Sequence, residues 1–124
     1  MEHPKKISGG FIYAFNGLRI FIKEEYNSRI HFIAALCVLT ASFIFRISVY
    51  EWLAVIFASG LVISLELINT AIEEIADFIS PEKNEKIKKI KDLSAAGVLV
   101  GAVTAFIIGL IVFILRLLLL FQKI

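Results

Sequence analysis

Leu65-Glu66-Leu67-Ile68-Asn69-Thr70-Ala71-Ile72-Glu73-Glu74-Ile75-Ala76-Asp77 continues without a break from the apolar run Trp52–Ser64, so several carboxylates and an amide fall on a helix that belongs in or near a membrane. An ionisable side chain at membrane depth costs about 2.5–3.5 kcal/mol on insertion scales, so such groups face a bundle interior and serve a function. At about 100° per residue, Glu66, Asn69, Glu73 and Asp77 occupy roughly one quadrant of the helix, with Thr70 beside them. The result is one polar stripe on an otherwise apolar rod.

The rest of the chain agrees with a membrane setting. A hydrophobic content of 59% and a mean hydropathy of +0.86 in 124 residues exceed what a small soluble core can hide. The length allows one domain, residues 1–124, in which an all-α integral membrane architecture is expected. Three apolar stretches, about 30–47, 52–79 and 93–121, are each compatible with a span of about 20 residues. Ahead of them, about 8–28 interleaves Phe11, Ile12, Phe15, Leu18 and Ile22 with Asn16, Arg19, Lys23 and Glu24, an amphipathic period suited to a helix lying on the membrane surface. The polar N-terminus lacks a secretory signal, so the spans are expected to remain in the mature protein. Cys37 is the only cysteine, which excludes disulfides and thiolate metal sites and leaves it as a small core hydrophobe.

Charge placement sets an expected topology. Of the 13 lysines and arginines, Lys5, Lys6, Arg19, Lys23 and Arg29 precede the first span, and Lys83, Lys86, Lys88, Lys89 and Lys91 lie between the second and third. Arg46, Arg116 and Lys123 mark the opposite ends. By the positive-inside rule the N-terminal arm and the Ser80–Asp92 connection are expected to be cytoplasmic, and the stripe opens inward. The net charge of +2 gives no reason to expect nucleic acid. Gly97, Gly101, Ala105 and Gly109 recur every fourth residue along the third span and permit close helix packing. Three helices shield the acidic groups poorly, so a homo-oligomer is expected.

Carboxylates and an amide on one helix, Lys91-Asp92 before the next, and Glu24-Glu25 ahead of the first suit a hydrated divalent cation accompanying a nucleotide. That set of groups fits phosphoryl transfer, in which a protein supplies position and charge. No Gly-rich nucleotide loop is present. Two non-enzymatic readings remain open at this point. One is a proton- or ion-conducting oligomer, weakened because Leu53–Leu65 offers only Ser59 and Ser64 to a relay. The other is a structural membrane subunit, which leaves Asn69 and Lys91-Asp92 unexplained.

The string Glu66-Leu67-Ile68-Asn69-Thr70-Ala71-Ile72-Glu73, with Asp77, Lys91-Asp92 and Ala95-Ala96, closely resembles the signature of the prokaryotic diacylglycerol kinase family, which includes the undecaprenol kinases. The resemblance extends to Gly17-Leu18-Arg19 and the spacing from Glu25 to Arg29. It implies a trimer of three-span subunits with composite sites between them near the cytoplasmic face. It further implies ATP as donor, Mg2+ as cofactor and a membrane lipid hydroxyl as acceptor. By position, Glu66 corresponds to the catalytic base, and Glu25 and Glu73 to the magnesium ligands. Asn69 corresponds to the amide beside the reacting phosphate. Tyr13, Glu25, Glu73, Glu82, Lys83, Asn84, Lys91 and Asp92 correspond to ATP contacts, and Arg19, Arg29, Glu66 and Ala95 to lipid contacts. Asp77 also matches, with a plain helix-end charge as its alternative. His31 and Ala95 stand where proteobacterial diacylglycerol kinases carry glutamate and serine, and His31 reads either as a satisfied helix-packing residue or as a lipid-headgroup contact. The wording of Ser64–Ala71 is closer to the undecaprenol kinase branch, which favours a polyprenol acceptor over diacylglycerol.

Overall fold

A computed structural model describes residues 7–82 and 84–123, so Lys5, Lys6 and Lys83 lie outside the described residues. Four helices follow one another: α1 (Ile7–Glu24), α2 (Tyr26–Ile44), α3 (Val49–Ile79) and α4 (Glu85–Gln122). The last three are long and apolar enough to cross a membrane. At 1.5 Å per residue the 31 residues of α3 extend about 46 Å and the 38 of α4 about 57 Å, against a hydrocarbon core of about 30 Å. Both helices are therefore longer than one crossing requires, and a short connection between Ile79 and Glu85 joins them.

Each boundary has a local cause. The expected surface helix over about 8–28 ends earlier, at Glu24, because Glu25 takes an extended conformation with φ −102° and ψ 112°. The corner is then closed by the residues that follow. The buried Ser28 hydroxyl hydrogen-bonds the Phe21 and Glu25 carbonyl oxygens at 2.7 and 2.6 Å. Arg29 donates through Nε and Nη2 to the Ile22 and Lys23 carbonyls at 3.2 and 3.3 Å, neutralising the orphan acceptors at the end of α1. The first apolar helix consequently starts at Tyr26 rather than near residue 30.

Between α2 and α3 the chain reverses through Arg46, whose φ of 50° is left-handed. The Ile47 and Arg46 amides donate to the Ser42 and Phe43 carbonyls, both at 3.3 Å, a Schellman closure in which arginine occupies the position usually given to glycine. Ser48 then caps α3 reciprocally with Glu51, which starts that helix before Trp52. The Ser80–Asp92 segment, expected as a lysine-rich connection, is largely helical. Asn84 Oδ1 accepts from the Lys86 amide at 2.9 Å, which caps α4 and places Lys86 to Lys91 on its first turns.

The helices α3 and α4 pack along much of their length and α2 leans on α3. Near the α2–α3 turn, Ile47, Val55 and Val112 form a small apolar cluster backed by Phe45 and Phe113, whose rings meet edge to face. Glu51 and Arg116 pair beside it, with Arg116 Nε 3.0 Å from the carboxylate. Cys37, expected in the core, is exposed on α2. Of the small-residue stripe, Gly101 is the member held close to another helix, since a Cβ there would overlap Leu65 Cδ1, whereas Gly97 and Gly109 face open space within this chain. Replacing Gly101 with leucine is expected to force α3 and α4 apart at a cost of about 1–3 kcal/mol. Gly97→Ala should be neutral or slightly stabilising. Thermal unfolding of the two variants in detergent distinguishes them.

Candidate active site

The α3 stripe is met from both sides. From α2, His31 Nε2 lies 2.8 Å from Glu66 Oε1, with both side chains mostly shielded. From α4, Ser94 Oγ donates to Asn69 Oδ1 at 2.6 Å. The Asn69 amide nitrogen in turn approaches Glu73 Oε1 at 3.4 Å, one helical turn further on. Beyond that, Lys91 Nζ donates to Asp77, and the Glu73 carboxylate attracts the same ammonium. Glu66, Asn69, Glu73, Asp77 and Lys91 thus form one polar edge running along α3 from Glu66 to its C-terminal end. The register follows from the sequence, because Lys91 and Ser94 are three residues apart and share a face of α4.

Other residues assigned by resemblance lie elsewhere in this chain. Glu25 borders a groove of about 650 Å³ between α1 and α3, next to Thr70 and Glu74, while Glu73 does not line it. Among the described residues no group of three or more His, Cys, Asp or Glu side chains is gathered to hold a metal ion. Asp92 points away from the stripe and pairs with Lys88 at 2.6 Å on the exposed face of α4. Glu82 and Asn84 border a second groove, of about 460 Å³, that also contains Asp77 and Lys91. Asn84 has its side-chain oxygen engaged in capping there. Tyr13 and Arg19 are exposed on α1, and Ala95 is exposed on α4, where its neighbour Ser94 makes the inward contact. Arg29 is occupied with the α1 carbonyls described above.

Ser94 carries no role in the sequence reading, and His31, read there as a helix-packing residue or a headgroup contact, is found bridging α2 to Glu66 on α3. His31 is the only His, Lys, Arg, Asp or Glu between Arg29 and Arg46, and a lone imidazole in an apolar run calls for a polar partner. Ser94 carried a signal too, in its spacing from Lys91. Chemically, the edge offers a shielded carboxylate with one oxygen already engaged, an amide with both ends engaged, and an ammonium beside two carboxylates. Such groups can accept a proton and neutralise phosphate oxygens.

The sequence model of the prokaryotic diacylglycerol kinases matches residues 12–113. The chain belongs to the prokaryotic diacylglycerol kinase family. The undecaprenol kinase of Bacillus subtilis is 37% identical over 107 residues, covering 86% of this chain and 87% of that protein. A diacylglycerol kinase of Synechocystis is 33% identical over 100 residues, covering 80% of this chain and 57% of the relative. One from Helicobacter pylori is 31% identical over 100 residues, 80% of this chain and 77% of its own. Membership makes this protein a membrane lipid kinase that draws on ATP, and it sets aside the readings as an ion conductor or structural subunit.

Within this kinase, Ser94→Ala removes the donor that orients Asn69. A lost neutral hydrogen bond of this kind is worth about 0.5–1.5 kcal/mol. Turnover should fall about three- to tenfold, and Ser94→Thr, which keeps the hydroxyl, should retain most of it, as read from ATP-dependent lipid phosphorylation.

Proposed function

We propose that the protein transfers the γ-phosphoryl group of ATP to the terminal hydroxyl of a polyprenol, undecaprenol in the first instance, giving undecaprenyl phosphate and ADP. The observation that carries the reading is the shielded Glu66 carboxylate, held at the deep end of a polar edge whose shallow end carries Lys91. A lipid hydroxyl arriving from the membrane meets the carboxylate first, while a nucleotide arriving from water meets the ammonium first. Glu66 takes the hydroxyl proton as the oxygen attacks the γ-phosphorus. The bond to the β,γ-bridging oxygen breaks, and ADP departs with that electron pair. Asn69, fixed by Ser94 and Glu73, offers its amide to the reacting phosphate. Lys91 exchanges part of its bond with Asp77 for phosphate oxygens.

Glu25 and Glu73 would hold the magnesium ion. Carboxylate oxygens are the donor type it prefers, and it commonly keeps several waters and substrate phosphates beside one or two carboxylates, so a large protein cluster is not required. When bound, it neutralises charge on the phosphates. In one chain Glu25 lies in the α1–α3 groove and Glu73 on the edge facing α4, a separation that favours a site assembled from neighbouring subunits of a trimer. The lysine-rich first turns of α4 favour a cytoplasmic location for that site, with α1 along the same membrane surface. Tyr13, Glu82, Lys83, Asn84 and Asp92 are assigned to the nucleotide, and Arg19, Arg29 and Ala95 to the acceptor, on the strength of position in the family pattern.

The choice of polyprenol over diacylglycerol is supported by the greater identity and coverage shared with the Bacillus subtilis protein. Diacylglycerol is the second reading, favoured by the names of the other relatives. Purified protein given each lipid in turn with ATP decides between them: faster phosphorylation of undecaprenol is expected, and equal or faster use of diacylglycerol overturns the acceptor assignment. Glu66→Gln should fold and bind ATP yet lose about 10²–10⁴-fold in turnover. Glu25→Gln and Glu73→Gln should each raise the magnesium concentration needed for half-maximal rate. Mixed oligomers of Glu25→Gln and Glu66→Gln subunits should regain part of the activity. If such oligomers, verified by pull-down on two tags, stay as inactive as either parent, the site belongs to one chain.

A further inference from the structure

The His31–Glu66 contact joins α2 to α3 at 2.8 Å. Below the imidazole, α2, α3 and α4 enclose a cavity of about 150 Å³ lined by small and aliphatic residues, including Ala34, Ala35, Ala58 and Ala105, with His31 as its one ionisable wall. His31 lines this cavity and Glu66 does not, so the ring stands between the apolar cavity and the Glu66 carboxylate. Nothing else among the hydrogen bonds of the described residues engages Glu66.

We propose that His31 is a positioning residue for phosphoryl transfer: it donates from Nε2 to one oxygen of Glu66 and aims the other at the acceptor hydroxyl. This inference rests on the role of Glu66 as base. A carboxylate facing that nitrogen can only accept, so Nε2 carries a proton whether the ring is neutral or charged, and the contact persists in both states. An unengaged glutamate on α3 has three side-chain torsions to distribute among rotamers. The 2.8 Å bond removes most of that freedom from the base. It does so from α2, independently of the Asn69–Ser94 link to α4. The consequence falls on the orientation of the base. The ATP-facing end of the edge, at Lys91 and Asp77, has its own partners and is untouched.

Four variants in lipid nanodiscs test this: His31→Leu, His31→Gln, Glu66→Gln and the double variant His31→Leu/Glu66→Gln, each checked for the wild-type oligomer and melting temperature. His31→Leu keeps the volume and removes the donor, and a misplacement of about 1 Å at a reacting group costs up to about 10²-fold. A fall of that size in kcat is expected, with KM for ATP within about twofold. His31→Gln, whose amide can donate from a similar place, should recover most of the loss. In the Glu66→Gln background, adding His31→Leu should change residual turnover little, since the two residues act as one unit. Wild-type kcat in His31→Leu overturns the proposal, as does His31→Gln as slow as His31→Leu, or a loss that multiplies fully with that of Glu66→Gln. If Glu66→Gln is inactive while His31→Leu is normal, only the positioning role fails. If Glu66→Gln itself turns over normally, the base assignment fails and the role of His31 with it.

Discussion

An ionised or strongly polar group on a membrane helix has to find its partners inside protein, because hydrocarbon offers none, and the α3 stripe imposes that demand on the whole chain. Glu66 is answered by His31 on α2, Asn69 by Ser94 and Asp77 by Lys91 on α4. These contacts do more than remove a desolvation cost. They fix the rotational setting of α3 against both neighbours, which apolar surface alone leaves loosely determined when the surrounding solvent is equally apolar. The close approach of Gly101 to Leu65 is compatible with that one setting, since Leu65 immediately precedes Glu66.

The opposite end of the bundle is held by different means. There the polar requirements come from the turn between α2 and α3, and they are met by the Ser48–Glu51 capping box together with Arg116 from α4. Glu51 thereby serves the cap and the interhelical pair at once. Between the two polar ends, small apolar groups carry the packing. The chain is clamped at both ends and smooth in the middle, an arrangement that leaves the central section free to face lipid acyl chains without unmatched polar groups.

Hydropathy and period were sufficient to read the helical class, the three apolar spans and the stripe, because each depends on local composition and on 3.6-residue geometry. Boundaries were less legible. The α1–α2 break at Glu25 depends on Ser28 and Arg29 reaching back to carbonyls of the preceding helix, and the arginine at a left-handed C-terminal position of α2 gives no glycine to mark the stop. The lysine-rich stretch before Leu93 reads as solvated, and it is solvated, but its Asn84 cap and strong helix formers let it continue α4 outward. Of the site, the α3 residues were recognisable from their motif. For His31 and Ser94 the sequence carries a weak signal but no partner, since the partner lies on a helix distant in sequence.

The distribution of satisfied and unsatisfied surface bears on assembly. A soluble protein exposing Phe11, Phe57, Phe106 and Leu110 as this one does would need a partner to cover them, but in a bilayer those side chains are already in a compatible solvent. Apolar exposure is therefore no argument for an oligomer here. The polar faces are the discriminating ones. The α1–α3 groove carries Glu24, Glu25 and Glu74 among apolar walls, and one chain supplies it with no cation from the groove lining itself. Glu24 and Glu74 are exposed there and Glu25 is half-buried, so solvent and headgroups meet these charges and no gathered acidic cluster forms among the described residues of one chain.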